Sequence, residues 1–275
     1  MTANVPLTIR RHQLVSTVRE QLQNNDVLIA LSGGPDSIAL LLLAIAASLQ
    51  DASNFSVVAG HIHHGLREES DEELNVVEAL CNRFGVRCVS KRVQVQPKLG
   101  SIAAGAREAR YEALCEIATE HNIQTIAVAQ HAEDQLETML MALCRGGGLT
   151  TLVGMASQRM LTDDISLIRP LLHVEKQTLI DICKDADVEW CEDPTNQDSS
   201  TPRGRLRQDV IPVLREIWPA ADRHASTASS LLQPIVEAFD SLIEDGTKWE
   251  RKSLQEEPHA IIAATMHRAL GHHAS

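Results

Sequence analysis

Short apolar runs alternate with longer helical patterns through the first half of the chain. Runs typical of strands lie at Val27–Leu31, Ser56–Ala59, Arg87–Val95 and Thr125–Ala129. Helical patterns lie near residues 36–49, 71–84, 101–121 and 132–144. Strands that alternate with helices of roughly 10–15 residues are typical of a parallel sheet covered on both faces. We therefore predict an α/β fold with a doubly wound, mainly parallel sheet.

The pattern changes after about Trp218-Pro219. Residues 220–270 show mainly helical spacing of Ala, Leu and Ile. A length of 275 residues allows one large domain with a small appendage. We predict the α/β domain over residues 1–216 and a small helical region over residues 217–275.

The turn after the first predicted strand carries the most specific chemistry of the chain. Its residues are Ser32, Gly33, Gly34, Pro35, Asp36 and Ser37. A glycine turn that opens a helix directs backbone N–H groups and the positive end of the helix dipole at one point, which suits phosphate. A carboxylate beside a phosphate needs a cation between them, so Asp36 predicts Mg²⁺. The plainer alternative is a helix capped by Asp or Ser.

This turn lacks the Gly-Lys-Ser/Thr of a Walker A loop and the third glycine of a dinucleotide fingerprint. Ser-Gly-Gly-Pro-Asp-Ser instead resembles the PP-loop of ATP pyrophosphatases, enzymes that split ATP between its α- and β-phosphates. The resemblance implies that ATP and Mg²⁺ bind at Ser32–Ser37.

Two further segments, residues 61–67 and 131–138, also follow predicted strands. Ligands of doubly wound sheets bind beyond the carboxyl ends of the strands, so we expect both segments beside the glycine turn. Three histidines in four residues could hold a metal, but strand alternation puts His61 and His63 on one face and His64 on the other. We therefore favour a loop that orients a nucleotide base, with His61 among its contacts.

The helix predicted from Ser101 to His121 carries two arginines beside the only tyrosine. Arg107, Arg110 and Tyr111 are three or four residues apart, so they share a face. An exposed basic face is one interpretation. A contact with a nucleotide or a phosphate is the other.

A group of carboxylates opens the helix predicted near residue 132. Glu133 and Asp134 in a first turn are favoured by the helix dipole. Glu137 lies on the same face, and no lysine or arginine is close in sequence to neutralise the group. We expect this cluster to hold a metal, to bind a cationic substrate or to act as a general base.

The net charge of −12 is unusual for a protein that binds nucleic acid. However, arginines crowd one segment, at Arg203, Arg205, Arg207 and Arg215, and a local patch can bind phosphate whatever the net charge. The six cysteines form no Cys-x-x-Cys pair, and no run of 18 apolar residues exists. We expect free thiols, a reducing cytoplasmic location and neither a signal peptide nor a membrane span.

Together these segments resemble the tRNA(Ile)-lysidine synthase family over roughly residues 25–215. The resemblance rests on the PP-loop, His-His-Gly-Leu-Arg at 63–67, Ala-Arg-Glu-Ala-Arg-Tyr at 106–111, the segment 131–138, Arg145-Gly-Gly-Gly-Leu, Ile168-Arg169-Pro170, Glu192-Asp193-Pro194 with Asn196, and the arginines at 203–207. The chain departs from the family at Glu133, where aspartate is usual, and at Gly204 and Gln208, where Asn and His are usual. Members often continue into a further tRNA-binding domain, for which we expect too few residues here.

The resemblance implies a ligase that joins free L-lysine to C2 of the wobble cytidine in a tRNA(Ile) with a CAU anticodon, so that the tRNA reads AUA instead of AUG. The reaction runs through an adenylated tRNA and releases AMP and pyrophosphate. In this interpretation Asp36 holds Mg²⁺, and Arg107 and Arg110 offset charge on the intermediate. Lysine reacts only after its ε-ammonium loses a proton, which Asp134 and Glu137 are suited to assist.

Contacts with lysine or tRNA are implied for Glu133, Tyr111, Arg145, Arg203, Arg205 and Arg207, and a homodimer is possible. Two alternatives remain open. The first is another PP-loop enzyme, either an amidotransferase or a tRNA thiolase, although a related PP-loop family that thiolates tRNA cytidine would need cysteine pairs, which this chain lacks. The second is a nucleotide-binding protein without turnover.

Overall fold

The computed structural model describes residues 5–23, 25–50, 55–63, 69–93, 102–191 and 201–241, together with residue 261. Several sequence predictions lie outside the described residues. They are the segment 64–67, the helix start at Ser101, the motif at 192–196, and the helical pattern beyond residue 241 except residue 261.

A six-stranded sheet forms the centre of the fold. Its strands are β1 (Val27–Ala30), β2 (Val57–His63), β3 (Arg87–Arg92), β4 (Thr125–Ala127), β5 (Gln158–Met160) and β6 (Ser166–Ile168). They lie in the order β3-β2-β1-β4-β6-β5, and every neighbouring pair is parallel except β5 with β6. The predicted α/β class and mainly parallel sheet are confirmed. The pair β5–β6 was not predicted, because strands of three residues are too short to show an apolar alternation.

Helices cover both faces of the sheet. They are α1 (Leu7–Arg10), α2 (Leu14–Leu22), α3 (Pro35–Ser48), α4 (Glu69–Phe84), α5 (Ile102–Glu120), α6 (Ala132–Cys144), α7 (Leu149–Leu152) and α8 (Lys176–Asp185). The chain ends its described part with α9 (Pro202–Arg205), a π-helical segment (Leu206–Val210), α10 (Ile211–Ile217) and α11 (Ala221–Ser241). Within the described residues, no helix is both long and apolar enough to cross a membrane.

The helix α3 is buried over nearly its whole length. Every residue from Ser37 to Ala47 is buried, because α1, α2 and α8 pack against the side of α3 that faces away from the sheet. This burial explains why the sequence from Ile38 to Ala47 is apolar on all sides. On the opposite face, α5 packs Leu114, Ile117 and Ala118 against residues of the central strands.

The chain order reverses at β1, since β2 and β3 lie on one side of it and β4 lies on the other. A crevice forms at such a switch point, beyond the carboxyl ends of the strands, and ligands of doubly wound folds bind there. The turn at 32–37, the end of β2 and the start of α6 all meet at this edge, as predicted.

The helix α11 packs directly against α6. The buried side chain of Gln135 on α6 donates a hydrogen bond to the Ser229 hydroxyl of α11. Its oxygen accepts from the backbone N–H of Met155 at 2.8 Å. The Ser226 hydroxyl donates to the carbonyl oxygen of Leu172 at 2.9 Å. Helical structure after residue 217 agrees with the prediction through residue 241, and a domain boundary at residue 216 stays a prediction.

Candidate active site

The turn between β1 and α3 needs its first glycine. Gly33 has a φ of +86°, a left-handed conformation in which other residues are strained. Gly34 is the N-cap of α3 and Pro35 its first residue, where a proline costs no hydrogen bond. The hydroxyl of Ser37 donates to the Gly34 carbonyl oxygen at 2.9 Å and lies 3.1 Å from the hydroxyl of Ser32. These hydrogen bonds fix the loop, and its backbone N–H groups lie at the start of α3.

A cavity of about 510 Å³ opens beside this loop. Its walls include Ser32, Gly34, Asp36 and Ser37 from the turn, His61 from β2, Arg107, Arg110 and Tyr111 from α5, and Gln130, Lys176, Trp190 and Cys191 from beyond the strand ends. The volume is in the range of small-molecule and cofactor sites. The structure thus brings two of the three segments that we predicted to meet, the turn and the end of β2, into one cavity, whereas no residue of the third segment, 131–138, lines it.

Asp36 and the start of α6 face each other across a buried histidine. The Nε2 atom of His131 lies 3.5 Å from a carboxylate oxygen of Asp36 and 3.5 Å from one of Asp134. Burial alone lowers the pKa of His131, yet the hydrogen bond with Asp36 and the charges of both carboxylates outweigh it and raise the pKa. Burial raises the pKa of Asp36, but His131, Lys176 and Arg207 lower it more. The imidazole therefore lies between the two carboxylates, and both favour its protonated form.

The second oxygen of Asp36 is the feature of this group that points to a metal. Its Oδ1 atom is buried and has no hydrogen-bond partner among the described residues. The described part of the chain holds no group of three or more His, Cys, Asp or Glu residues suited to a metal ion. A cation at Asp36 would therefore take its other ligands from phosphate oxygens and water, as Mg²⁺ usually does.

His61 is buried at the cavity wall, with 2% of its surface exposed. Its Nδ1 atom lies 2.9 Å from the carbonyl oxygen of Leu31 and so carries the hydrogen. Its Nε2 atom is then an acceptor, and it has no partner among the described residues. Burial lowers the pKa of His61, so the ring stays neutral near pH 7. A neutral acceptor of this kind suits an amino group such as that of adenine.

The carboxylates of α6 have arginine partners that come from far along the chain. No lysine or arginine is close to them in sequence, but arginines distant in sequence neutralise the cluster. The Nε atoms of Arg203 and Arg207 each lie 2.7 Å from a Glu137 oxygen. Arg215 pairs with Glu133 and with Asp222. Glu133 and Glu137 are buried, whereas Asp134 keeps 19% of its side chain exposed.

The same contacts change the interpretation of the arginine segment as a patch that binds phosphate. Arg203 and Arg207 are bound to buried carboxylates, so they do not form a patch of unpaired positive charge. Arg205 is 70% exposed, and its nearest carboxylate is Asp209 at 3.5 Å. Arg145 caps the end of α6 and is exposed. None of these four arginines lines the cavity.

Sequence reasoning missed His131 and Lys176 as members of the site. The signal for His131 was present, since it begins the segment that we had singled out. Lys176 is the first residue of α8, and it gave no sequence signal because its partners lie more than forty residues away in the chain.

The PP-loop domain family matches residues 6–214. The chain belongs to this family. The structure is also similar to a solved structure, the U34-tRNA thiolase NcsA from Methanococcus maripaludis, with a TM-score of 0.64, 17% identity, and coverage of 80% of this chain and 78% of that one. At this identity the likeness shows the fold alone.

Curated relatives of this PP-loop domain include tRNA(Ile)-lysidine synthases. The one from Pseudomonas fluorescens (strain Pf0-1) is 42% identical over 203 residues, which are 74% of this chain and 44% of the relative. The one from Edwardsiella ictaluri (strain 93-146) is 36% identical over 219 residues, which are 79% of this chain and 49% of the relative. The resemblance to that family is confirmed, and the chain spans about half the length of these curated relatives.

Proposed function

We propose that the protein is a tRNA(Ile)-lysidine synthase, a ligase that uses ATP to attach L-lysine to the wobble cytidine of a tRNA(Ile) with a CAU anticodon. One observation carries the proposal. The PP-loop carboxylate Asp36 and the α6 carboxylate Asp134 meet at the same imidazole, that of His131. A candidate ATP-activation site and a candidate amine site are therefore joined through one side chain, and the curated relatives add support.

ATP would bind with its phosphates at Ser32–Ser37 and its base near His61. The backbone N–H groups of the PP-loop would hold the pyrophosphate as it leaves, which is the electrostatic contribution that phosphoryl and adenylyl transfer need most. Mg²⁺ fits at the partnerless oxygen of Asp36 and would neutralise charge on the phosphates when bound.

In the first step, the C2 oxygen of the cytidine attacks the α-phosphorus of ATP and pyrophosphate leaves. In the second, the ε-amine of lysine attacks C2 and AMP leaves. Arg107 and Arg110 would offset the negative charge of the adenylated intermediate from the cavity wall. Tyr111 would support Arg107, whose guanidinium lies 5.1 Å from the centre of its ring.

Asp134 is the carboxylate that we propose binds the ε-ammonium of lysine and assists its deprotonation. It is the most exposed of the three, and its partner Arg207 is 3.5 Å away, at a longer distance than the pairs of Glu137. Glu137 and Glu133 would act by holding Arg203, Arg207 and Arg215 around Asp134. Arg205 and Arg145, both exposed, would contact the tRNA.

We also propose that the protein is cytoplasmic, because thiols stay reduced and tRNA is present in that compartment. For its oligomeric state we propose a homodimer. All six cysteines are among the described residues, and none of them forms a disulfide. Sedimentation of the purified protein would decide the oligomeric state.

A lysine-incorporation assay tests the proposal. The protein is incubated with ATP, labelled lysine and a tRNA(Ile) transcript with a CAU anticodon, and nucleotides are separated by chromatography. We expect lysine in the tRNA together with AMP and pyrophosphate. A transcript with uridine at the wobble position is the matched control and should take up no lysine. ADP with inorganic phosphate, or AMP release that depends on ammonia and not on lysine, would reject the proposal in favour of another ATP-using activity.

A further inference from the structure

Three arginines from different elements converge on the only tyrosine of the chain. The guanidinium carbon of Arg107 lies 5.1 Å from the centre of the Tyr111 ring, and that of Arg159 lies 5.2 Å from it. Arg169 is buried and lies close enough to Tyr111, Arg107 and Arg159 for all three to influence its pKa. The guanidinium of Arg169 also donates to the carbonyl oxygen of Ala156 at 2.7 Å and to the side chain of Gln130.

These three arginines differ from those that surround α6. Arg203, Arg207 and Arg215 each have a carboxylate within 4 Å. For Arg107, Arg159 and Arg169, the described part of the chain supplies no carboxylate within that distance. Like charges this close repel one another, and burial together with Arg159 and Arg107 lowers the pKa of Arg169. In a protein with a net charge of −12, such a concentration of uncompensated positive charge favours an anionic ligand.

The position of the cluster indicates which anion. Arg107 and Tyr111 line the cavity, whereas Arg159 lies outside it on the exposed edge strand β5. The phosphates of ATP already have the PP-loop, on the other wall of the cavity. The cluster thus extends from the cavity wall to the outer surface, where it is within reach of a substrate that is longer than a single nucleotide.

We propose that Arg107, Tyr111 and Arg159 form a phosphate clamp for the RNA strand that flanks the reacting cytidine. This inference rests on the proposed function, because it takes an RNA as the substrate. Guanidinium groups bind phosphate oxygens through paired N–H donors, and the tyrosine ring holds two of them in place. Arg169 is a positioning residue, since its side chain is buried and bonds to Gln130 and to the Ala156 carbonyl oxygen beside the clamp.

Arg159→Ala is the decisive variant, because the side chain is exposed and its loss should leave the fold intact. Binding of the tRNA(Ile) transcript is measured at several salt concentrations, and ATP binding is measured separately. We expect weaker tRNA binding and a salt slope that falls by about 0.7–0.9 for the one lost contact. ATP affinity should stay unchanged. Arg159→Lys keeps the charge and should restore the slope but not the full affinity.

Arg87→Ala is the matched control, since Arg87 is an exposed arginine at the start of β3, at the opposite edge of the sheet. It should leave both the tRNA affinity and the slope as in the wild type. The clamp is rejected if Arg159→Ala binds tRNA like Arg87→Ala. It is also rejected if Arg159→Ala weakens ATP binding and leaves tRNA binding unchanged.

Lysine incorporation separates this inference from the function on which it rests. If the wild type incorporates lysine and Arg159→Ala does so with an unchanged KM for tRNA, the function holds and the clamp fails. If the wild type binds tRNA in an Arg159-dependent way and incorporates no lysine, the clamp holds and the proposed reaction fails.

Discussion

Arg207 binds Glu137, a residue seventy positions earlier in the chain, with 2.7 Å between the guanidinium Nε and a carboxylate oxygen that has no solvent exposure. Arg203 occupies the other oxygen of the same carboxylate, also at 2.7 Å. The segment 203–207 is thereby fastened to α6, the helix that carries Asp134. Its arginines therefore contribute to the geometry of the site through contacts within the protein, independently of any contact with RNA.

Glu137→Gln should destabilise the protein by about 3 kcal/mol. Removing one partner of a buried ion pair costs about 3–5 kcal/mol, and the partial exposure of Arg203 and Arg207 puts the expected loss at the lower end. Urea unfolding measures the change. Glu112→Gln removes an exposed carboxylate on α5 and should change stability by less than about 0.5 kcal/mol. Similar values for the two variants would show that the Glu137 pairs add little to stability.

Arg205→Ala and Arg207→Ala should have different effects. Arg205 is exposed, so its loss should reduce the salt slope of tRNA binding by about 0.7–0.9 and leave the unfolding free energy nearly unchanged. Arg207→Ala leaves Glu137 with one arginine and should lower the unfolding free energy. Salt-dependent tRNA binding and urea unfolding of both variants check this. Equal loss of stability in the two would contradict it.

Asp36→Asn should slow the formation of pyrophosphate by on the order of 10²–10³, because the amide no longer balances Mg²⁺ beside the phosphates. The pKa of Asp36 is lowered, so the residue is a carboxylate at neutral pH in the wild type. Pyrophosphate release at saturating Mg²⁺ is the measurement. A near-normal rate would show that Asp36 acts only at the start of α3 and does not hold Mg²⁺ for the reaction.

Asp134→Asn should block lysine transfer more than adenylation. The oxygen that accepts a hydrogen bond from the His131 backbone N–H at 3.0 Å remains in asparagine, so the cap of α6 survives. The charge that would bind the lysine ammonium is lost. Lysine incorporation and pyrophosphate release are followed together, and adenylated tRNA should accumulate. Full lysine transfer by this variant would leave the carboxylate as a helix cap alone.

The His61→Asn variant should lose less stability than the wild type when the pH is lowered mildly. Burial lowers the pKa of His61 below its usual value, so above that value the ring is neutral in both the folded and the unfolded chain. As pH falls through about 6.5, the unfolded chain takes up a proton that the folded chain does not, and the folded state loses stability. Unfolding free energies between pH 7.5 and 5.5 should therefore fall more steeply in the wild type. Parallel curves would show that burial does not lower the pKa of His61 in the folded protein.

The sequence allowed the fold and the PP-loop to be predicted because both depend on local patterns. The turn at Gly33 requires a left-handed residue directly after an apolar strand, and those neighbours are visible in sequence. The partners of Glu137 and Glu133 could not be predicted, because pairs separated by 66 to 82 residues leave no spacing pattern. The edge strand β5, all of whose residues are exposed, gave no alternation, and so Arg159 was overlooked.

The contact between Gln135 and Ser229 determines how much of the chain a transferred PP-loop domain must include. A recombinant fragment ending at residue 216 would keep every described residue that lines the cavity, since the last of them is Cys191. It would still lose Ser229, and the fully buried amide of Gln135, next to Asp134, would lose a partner. The smallest transplantable unit therefore extends through α11, even though that helix supplies no wall of the cavity.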